Sequence, residues 1–178
     1  MFQSYLTNIN HNCYLKINNK NAYNYAKLNN LKLIVKFKKD LNNKFLILSI
    51  FFLFKQILFK NGYYILLNKK TKKIIGMKFI LKNNLMFLFL NFLVLNFLNQ
   101  PEIQNNINLK SFDSQGNYML GLSTNSYYYF EKYLCNINFK NTLNYFNIYI
   151  SFNFNNDDLI NHIFYLNLFK FYFLDLNK

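Results

Sequence analysis

Apolar and polar residues trade places every second position along three stretches of this chain, the period of a pleated strand with one buried face. Leu31, Leu33, Val35 and Phe37 alternate with Lys32, Ile34, Lys36 and Lys38. From Ile74 to Lys82, Ile75, Met77, Phe79 and Leu81 point one way, and Ile74, Gly76, Lys78, Ile80 and Lys82 the other. Between Asn144 and Phe154, Phe146, Ile148, Ile150, Phe152 and Phe154 oppose Tyr145, Asn147, Tyr149, Ser151 and Asn153. Shorter strands are predicted over Tyr63–Asn68 and Asn117–Leu122.

Three other segments have the length and composition of helices. Phe45–Lys60 would turn Leu46, Ile50, Leu53, Phe54, Ile57 and Leu58 inward and Lys55 and Gln56 outward. Asn61-Gly62 ends it, with Gly62 as a left-handed cap. Leu85 to about Leu98, capped by Asn83 or Asn84, is apolar nearly all round, with Asn91 and Asn96 as its polar interruptions. A last helix follows Asn155 or Asn156 as cap, with Asp157 and Asp158 in a first turn where the dipole favours negative charge. Its predicted buried stripe is Leu159, Ile160, Ile163, Phe164 and Leu168. His162 lies near that stripe without cysteine or carboxylate company, and reads as a surface or satisfied histidine.

The predicted order, βαββαββα, makes an antiparallel sheet with helices packed on one face, an α+β fold in a single domain over residues 31–178. Residues 1–30 are Asn-rich and without sustained period, and are expected to form an N-terminal extension. Tyr127–Tyr133 reads as an aromatic connection that packs into a core.

Charge changes the picture of what such a sheet is for. The chain has 178 residues and a net charge of +14, from 21 basic residues, all lysine, against 7 acidic ones. That imbalance points to a polyanion or an anionic membrane surface as partner. With no guanidinium fork, a nucleic acid would be held by point charges, amides and ring stacking. The expected open face carries Lys32, Lys36, Lys38, Lys78, Lys82, Tyr145 and Tyr149. Lysines interleaved with tyrosines suit single-stranded or loop-rich RNA, each stacked base being worth ~1–3 kcal/mol. Lys69, Lys70, Lys72 and Lys73 cluster at a predicted hairpin turn, and Lys110 is a further candidate contact.

Other chemistry is scarce. Cys13 and Cys135 are isolated and read as free thiols, and His11 with Cys13 falls short of a metal site. Two distant histidines, no Gly-rich phosphate loop and no Gly-x-Ser-x-Gly elbow argue against an enzyme, a metal or a cofactor. Phe, Tyr, Ile, Asn, Lys and Leu dominate, all codable from A and T. This points to an AT-rich genome, a mitochondrial one first and another AT-rich organelle second. The absence of a signal or transit peptide fits synthesis inside such an organelle. A rival reading, a small organelle-encoded integral membrane protein, comes from the uncharged run between Lys82 and Glu102, which approaches the ~20 residues of a span. Lys55, Asn91, Asn96 and the flanking amphipathic strands weigh against it, and no membrane insertion is expected.

One stretch is more specific than any of these patterns: Lys110-Ser111-Phe112-Asp113-Ser114-Gln115-Gly116-Asn117-Tyr118-Met119-Leu120-Gly121. Asp113 can accept a hydrogen bond from the backbone two residues on, and Gly116 can take a positive φ, so the segment reads as a tight turn feeding a strand. It resembles the Ser-Phe-Asp-x-x-Gly-Asn-Tyr-x-x-Gly segment of the large-subunit ribosomal protein five family. The likeness runs from about Leu31 to the C-terminus and includes Asn147-Ile148-Tyr149-Ile150-Ser151 and Asn156-Asp157-Asp158.

The resemblance implies a sheet-and-helix domain in the central protuberance of the ribosome. Its partners there would be 5S rRNA where one exists, large-subunit rRNA, neighbouring large-subunit proteins, a small-subunit head protein across a bridge, and the peptidyl-site tRNA. Family positions matching Lys36, Gly62 and Ile80 tend to carry Asn, Gln and Thr facing 5S rRNA; here a charge, a glycine and a hydrophobe stand there. The loop before Ile74 is also shorter than the family's tRNA-reaching loop.

Overall fold

The computed structural model describes residues 26–38, 44–67, 73–105, 107–122, 145–155 and 158–173. Strand β1 spans Leu28–Phe37, helix α1 Lys44–Leu58, β2 Tyr63–Leu66, β3 Ile74–Leu81 and α2 Asn83–Asn96. A single turn α3, Pro101–Gln104, and a 3-10 turn, Leu109–Ser111, lead into β4, Tyr118–Leu122. Then come β5, Phe146–Phe154, and α4, Leu159–Leu168. The strands form one five-stranded sheet in the order β2-β3-β1-β5-β4, every neighbouring pair antiparallel. The α+β class read from the alternation is the class observed; α3 and the 3-10 turn are additions to the predicted elements.

Register lines the apolar side chains up in cross-strand rows. Leu81, Leu31, Phe152 and Tyr118 make one row, Phe79, Leu33, Ile150 and Leu120 the next, and Met77, Val35, Ile148 and Leu122 a third. All twelve are buried. Helices cover this face. From α1, Phe54 meets Phe79 and Phe146 at ring-centroid distances of 5.9 and 6.0 Å. Helix α2 buries Met86, Phe89, Leu90, Leu93 and Val94. The rings of Phe112, Phe152, Phe171 and Phe173 surround Tyr118 at 4.9 to 6.0 Å.

Several local expectations are overturned. The buried stripe of α4 is Asn161, His162, Tyr165 and Leu166, while Leu159 and Ile160 are exposed. Of the five residues predicted to be buried, Ile163, Phe164 and Leu168 are partly buried against the core, and polar contacts turn the helix so that Asn161 and His162 face inward. Asp158, not Asn155, caps the helix by accepting from the Ile160 amide at 3.1 Å, and it also accepts from the Asn161 side chain; Asn156 lies outside the described residues. His162 stacks on Phe154 with ring centroids 4.1 Å apart. Asn155 instead extends the β1–β5 pairing, its side chain accepting from the Lys27 amide at 2.9 Å.

Gly62 is not a left-handed cap. Phe59 takes that conformation after α1, with φ 49°, and Gly62 is small because a Cβ there would lie 2.5 Å from the Phe79 ring. Neither Asn83 nor Asn84 caps α2 through its side chain; Asn83 itself sits at φ 53°. The sheet also begins earlier than predicted. Ala26 and Leu28 are buried, and a register shift between Leu28 and Asn30 breaks the alternation that would have revealed them. Cys13, Cys135, His11 and Tyr127–Tyr133 lie outside the described residues.

Candidate nucleic-acid interface

The face of the sheet that no described helix covers is built by the other half of each alternation. Ile80, Lys32, Ser151 and Met119 form one row across β3, β1, β5 and β4. Tyr63, Lys78, Ile34, Tyr149 and Gly121 form the next, crossing all five strands. Ile65, Gly76, Lys36 and Asn147 form the third. Lys32 and Lys78 are therefore diagonal neighbours, at a separation on the order of 7–8 Å between backbones. Lys36 lies four residues beyond Lys32 along β1. Lys38 is one residue past β1, and its amide donates to the Tyr145 carbonyl at 2.9 Å, carrying the pairing one step beyond the strands.

Tyr149 sits at the centre of this face. Its neighbour Gly121 presents no side chain, and a Cβ built there would meet the Tyr149 ring at 3.7 Å, so the ring lies over the bare backbone of β4. The Tyr149 ring is half-buried there. Tyr63, at the sheet edge beside Lys78, is exposed, as is Tyr145. Tyr64 points the other way, stacking on Phe51 at 5.0 Å. Burial raises its pKa above the ordinary value.

Gly62 does not share this surface with Lys36 and Ile80: its missing side chain would point at core residue Phe79. Tyr63, with Ile65, brings β2 onto the open face, one place along from the residue matched by the family resemblance. The alternation within Tyr63–Leu66 was the signal available, and the shortness of the strand hid it.

Electrostatically the face is cationic and under self-repulsion. Burial first, and the charge of Lys78 second, lower the Lys32 ammonium below its ordinary 10.5, while Asp113 pulls it back up. Asp113 belongs to the turn beside β4. Its Oδ1 accepts from the Gln115 amide at 3.0 Å and the Asn117 amide at 2.7 Å, and its Oδ2 from the Asn117 side chain at 3.0 Å. Burial alone would raise this carboxyl. The hydrogen bonds from Asn117 and Gln115, helped by the Lys32 charge, outweigh that and hold it below the ordinary carboxylate range. Gly116 has φ 73°, as the turn requires, and its amide closes on the Asp113 carbonyl at 3.0 Å. The predicted roles of Asp113 and Gly116 are the observed ones.

The remaining candidates are dispersed. Lys82 is exposed at the junction of β3 and α2, and Lys110 is exposed on the 3-10 turn. Lys73 is half-buried and its carbonyl accepts from the Leu67 amide at 2.9 Å, tying β2 to β3; Lys69, Lys70 and Lys72 lie outside the described residues. Buried Tyr118 turns its hydroxyl towards Asn108 and Ser111, which it reaches only in poor hydrogen-bond geometry, and burial pushes its pKa up to about 12. Among the described residues no three His, Cys, Asp or Glu side chains gather where they could hold a metal ion. No described helix is long and apolar enough to cross a membrane. No family model and no curated protein matches the chain.

Proposed function

We propose that this chain is a non-catalytic, RNA-binding constituent of a mitochondrial large ribosomal subunit, contributing to translation from the central protuberance. The observation that carries the reading is the open sheet face, where Lys32, Lys36 and Lys78 stand in adjacent rows around the Tyr149 ring. Ammonium groups meet phosphates and rings stack on splayed bases, which is how RNA is held without arginine. The likeness of Lys110–Gly121 to the ribosomal protein five segment supports the placement in the large subunit.

Large-subunit rRNA is the expected ligand, with 5S rRNA where the organelle has one. Lys36 and Ile80 replace the polar side chains that the family presents, and Tyr63 rather than Gly62 completes the surface. A face of charge and rings binds with little sequence preference. The short β2–β3 connection makes the tRNA contact the weakest of the implied partnerships, after the neighbouring large-subunit proteins and the small-subunit head protein.

A sucrose gradient of organelle lysate tests the assignment. The protein should sediment with large subunits at low salt and leave them at high salt, because every engaged lysine adds ~0.7–0.9 to the salt dependence. Recovery at the top of the gradient at low salt would make it a free factor. Recovery in carbonate-washed membranes, independent of ribosomes, would favour the integral membrane alternative.

A further inference from the structure

The helical layer turns a second chemistry outward, away from the sheet's open face. On α1 and just past it, Phe45, Phe52 and Phe59 are 86%, 54% and 85% exposed. Phe45 and Phe52, seven apart, share one face of α1, and Phe59 follows one residue past the helix end. Leu88 and Leu95 on α2 are 61% and 62% exposed. Between the end of α1 and α2 runs an apolar groove of about 580 Å³, lined by Ile57, Phe59, Leu85, Leu88 and Phe92 among others. Beside it a shallow depression brings Phe52 and Phe59 together with Lys55 and Lys60. Neither helix contains a carboxylate.

We infer that the α1–α2 face docks peripherally on an anionic lipid bilayer. Lys55 and Lys60 would engage headgroup phosphates, while Phe52, Phe59 and Leu88 enter the acyl boundary. Among the described residues of α1 and the turn after it, Lys44, Lys55 and Lys60 are charged and all of one sign, and lysine stems can lie along apolar surface while their ammonium groups stay at headgroup level. The exposed phenylalanines offer no hydrogen-bonding groups with which to specify a protein partner. A bilayer asks for no such complementarity. Helix α1, at 15 residues, is about 22 Å long against a hydrocarbon core of about 30 Å, so it lies on the membrane and does not span it. The inference stands independently of the RNA reading, since the two surfaces are on opposite sides of the sheet.

Flotation of the full-length protein with phosphatidylcholine vesicles, with and without phosphatidylglycerol, tests it. The wild type should float with the anionic vesicles and lose that binding as salt rises. Phe52→Asp combined with Phe59→Asn should reduce flotation about tenfold with an unchanged thermal midpoint, because both side chains are exposed and asparagine tolerates the left-handed backbone at 59. Lys55→Gln with Lys60→Gln should reduce binding to anionic vesicles selectively. No flotation by the folded wild type, or flotation undiminished by the Phe52/Phe59 pair, would overturn the inference. A dimer that this pair dissolves, with no vesicle binding, would also overturn it and assign the face to a second copy of the chain.

Discussion

The Nδ1 atom of His162 lies 2.8 Å from the carbonyl oxygen of Gly116, joining α4 to the turn ahead of β4 across 46 residues of sequence. A carbonyl only accepts, so Nδ1 carries the hydrogen. The same ring is fully buried and nearly parallel to Phe154, at an interplanar angle of 12°. One side chain therefore sets both the rotation of α4 and the position of the turn. His162→Phe keeps a ring against Phe154 but leaves the Gly116 carbonyl without this donor, and should cost about 1–3 kcal/mol in urea unfolding. A loss within error would mean that the contact adds nothing to the stacking.

Asp113 gives the turn a pH dependence. Its folded pKa is below the ordinary 3.8, so its contribution to stability is complete above that value and is lost as pH falls through the lower folded one. Asp113→Asn should leave a shallower loss of stability on the acid side, starting near pH 4 and continuing downward. Thermal melts across that range would check it. Because the carboxylate is exposed, the effect should also shrink with added salt. Parallel pH profiles for the variant and the wild type would show that Asp113 is not responsible.

The core rows of β1, β3 and β5 were legible because period-two alternation survives in long strands with one covered face. The Asp113–Asn117 turn was legible because it depends on contacts within five residues. What failed was decided by partners far along the chain. The predicted α4 stripe follows the apolar residues, whereas the observed one includes polar Asn161 and His162, the latter drawn inward by Gly116 and Phe154. The purpose of Gly62 is hidden in Phe79, seventeen positions away. Within the candidate site, the alternation located Lys32, Lys36, Lys78 and Tyr149, while Tyr63 was missed because four residues of strand give too few alternations to assign a face.

Gly76 and Gly121 both lie in strands, yet the same substitution should have opposite consequences. A Cβ at Gly76 would sit 2.5 Å from the Val35 carbonyl oxygen, a backbone atom of the paired strand that cannot move aside. Gly76→Ala should therefore cost about 1–3 kcal/mol by pushing β3 from β1. At Gly121 the added methyl would meet the Tyr149 ring at an ordinary 3.7 Å. Gly121→Ala should be neutral or slightly stabilising, through lower entropy in the unfolded chain. Chemical denaturation of the two variants side by side distinguishes them, and equal losses would contradict the register on which the open face depends.

Lys32 and Lys78 make the sharpest link between the fold and the proposed RNA contact. The Lys32 pKa is lowered by burial and by Lys78, so the folded protein carries that charge at a cost throughout the range below its folded value. The cost is relieved as pH rises through that value towards 10.5, or when a phosphate shares the pair. Lys78→Gln removes the repulsion and should stabilise the free protein by a few tenths of a kcal/mol at low salt, the modest size fitting a solvent-screened diagonal pair. The same change should weaken RNA binding and lower the salt slope by ~0.7–0.9 in an anisotropy titration. Stability and affinity then move in opposite directions, which a lysine kept only for solubility would not produce. If Lys78→Gln lowers stability, or leaves both the affinity and the salt slope unchanged, the cationic face is not where RNA is held.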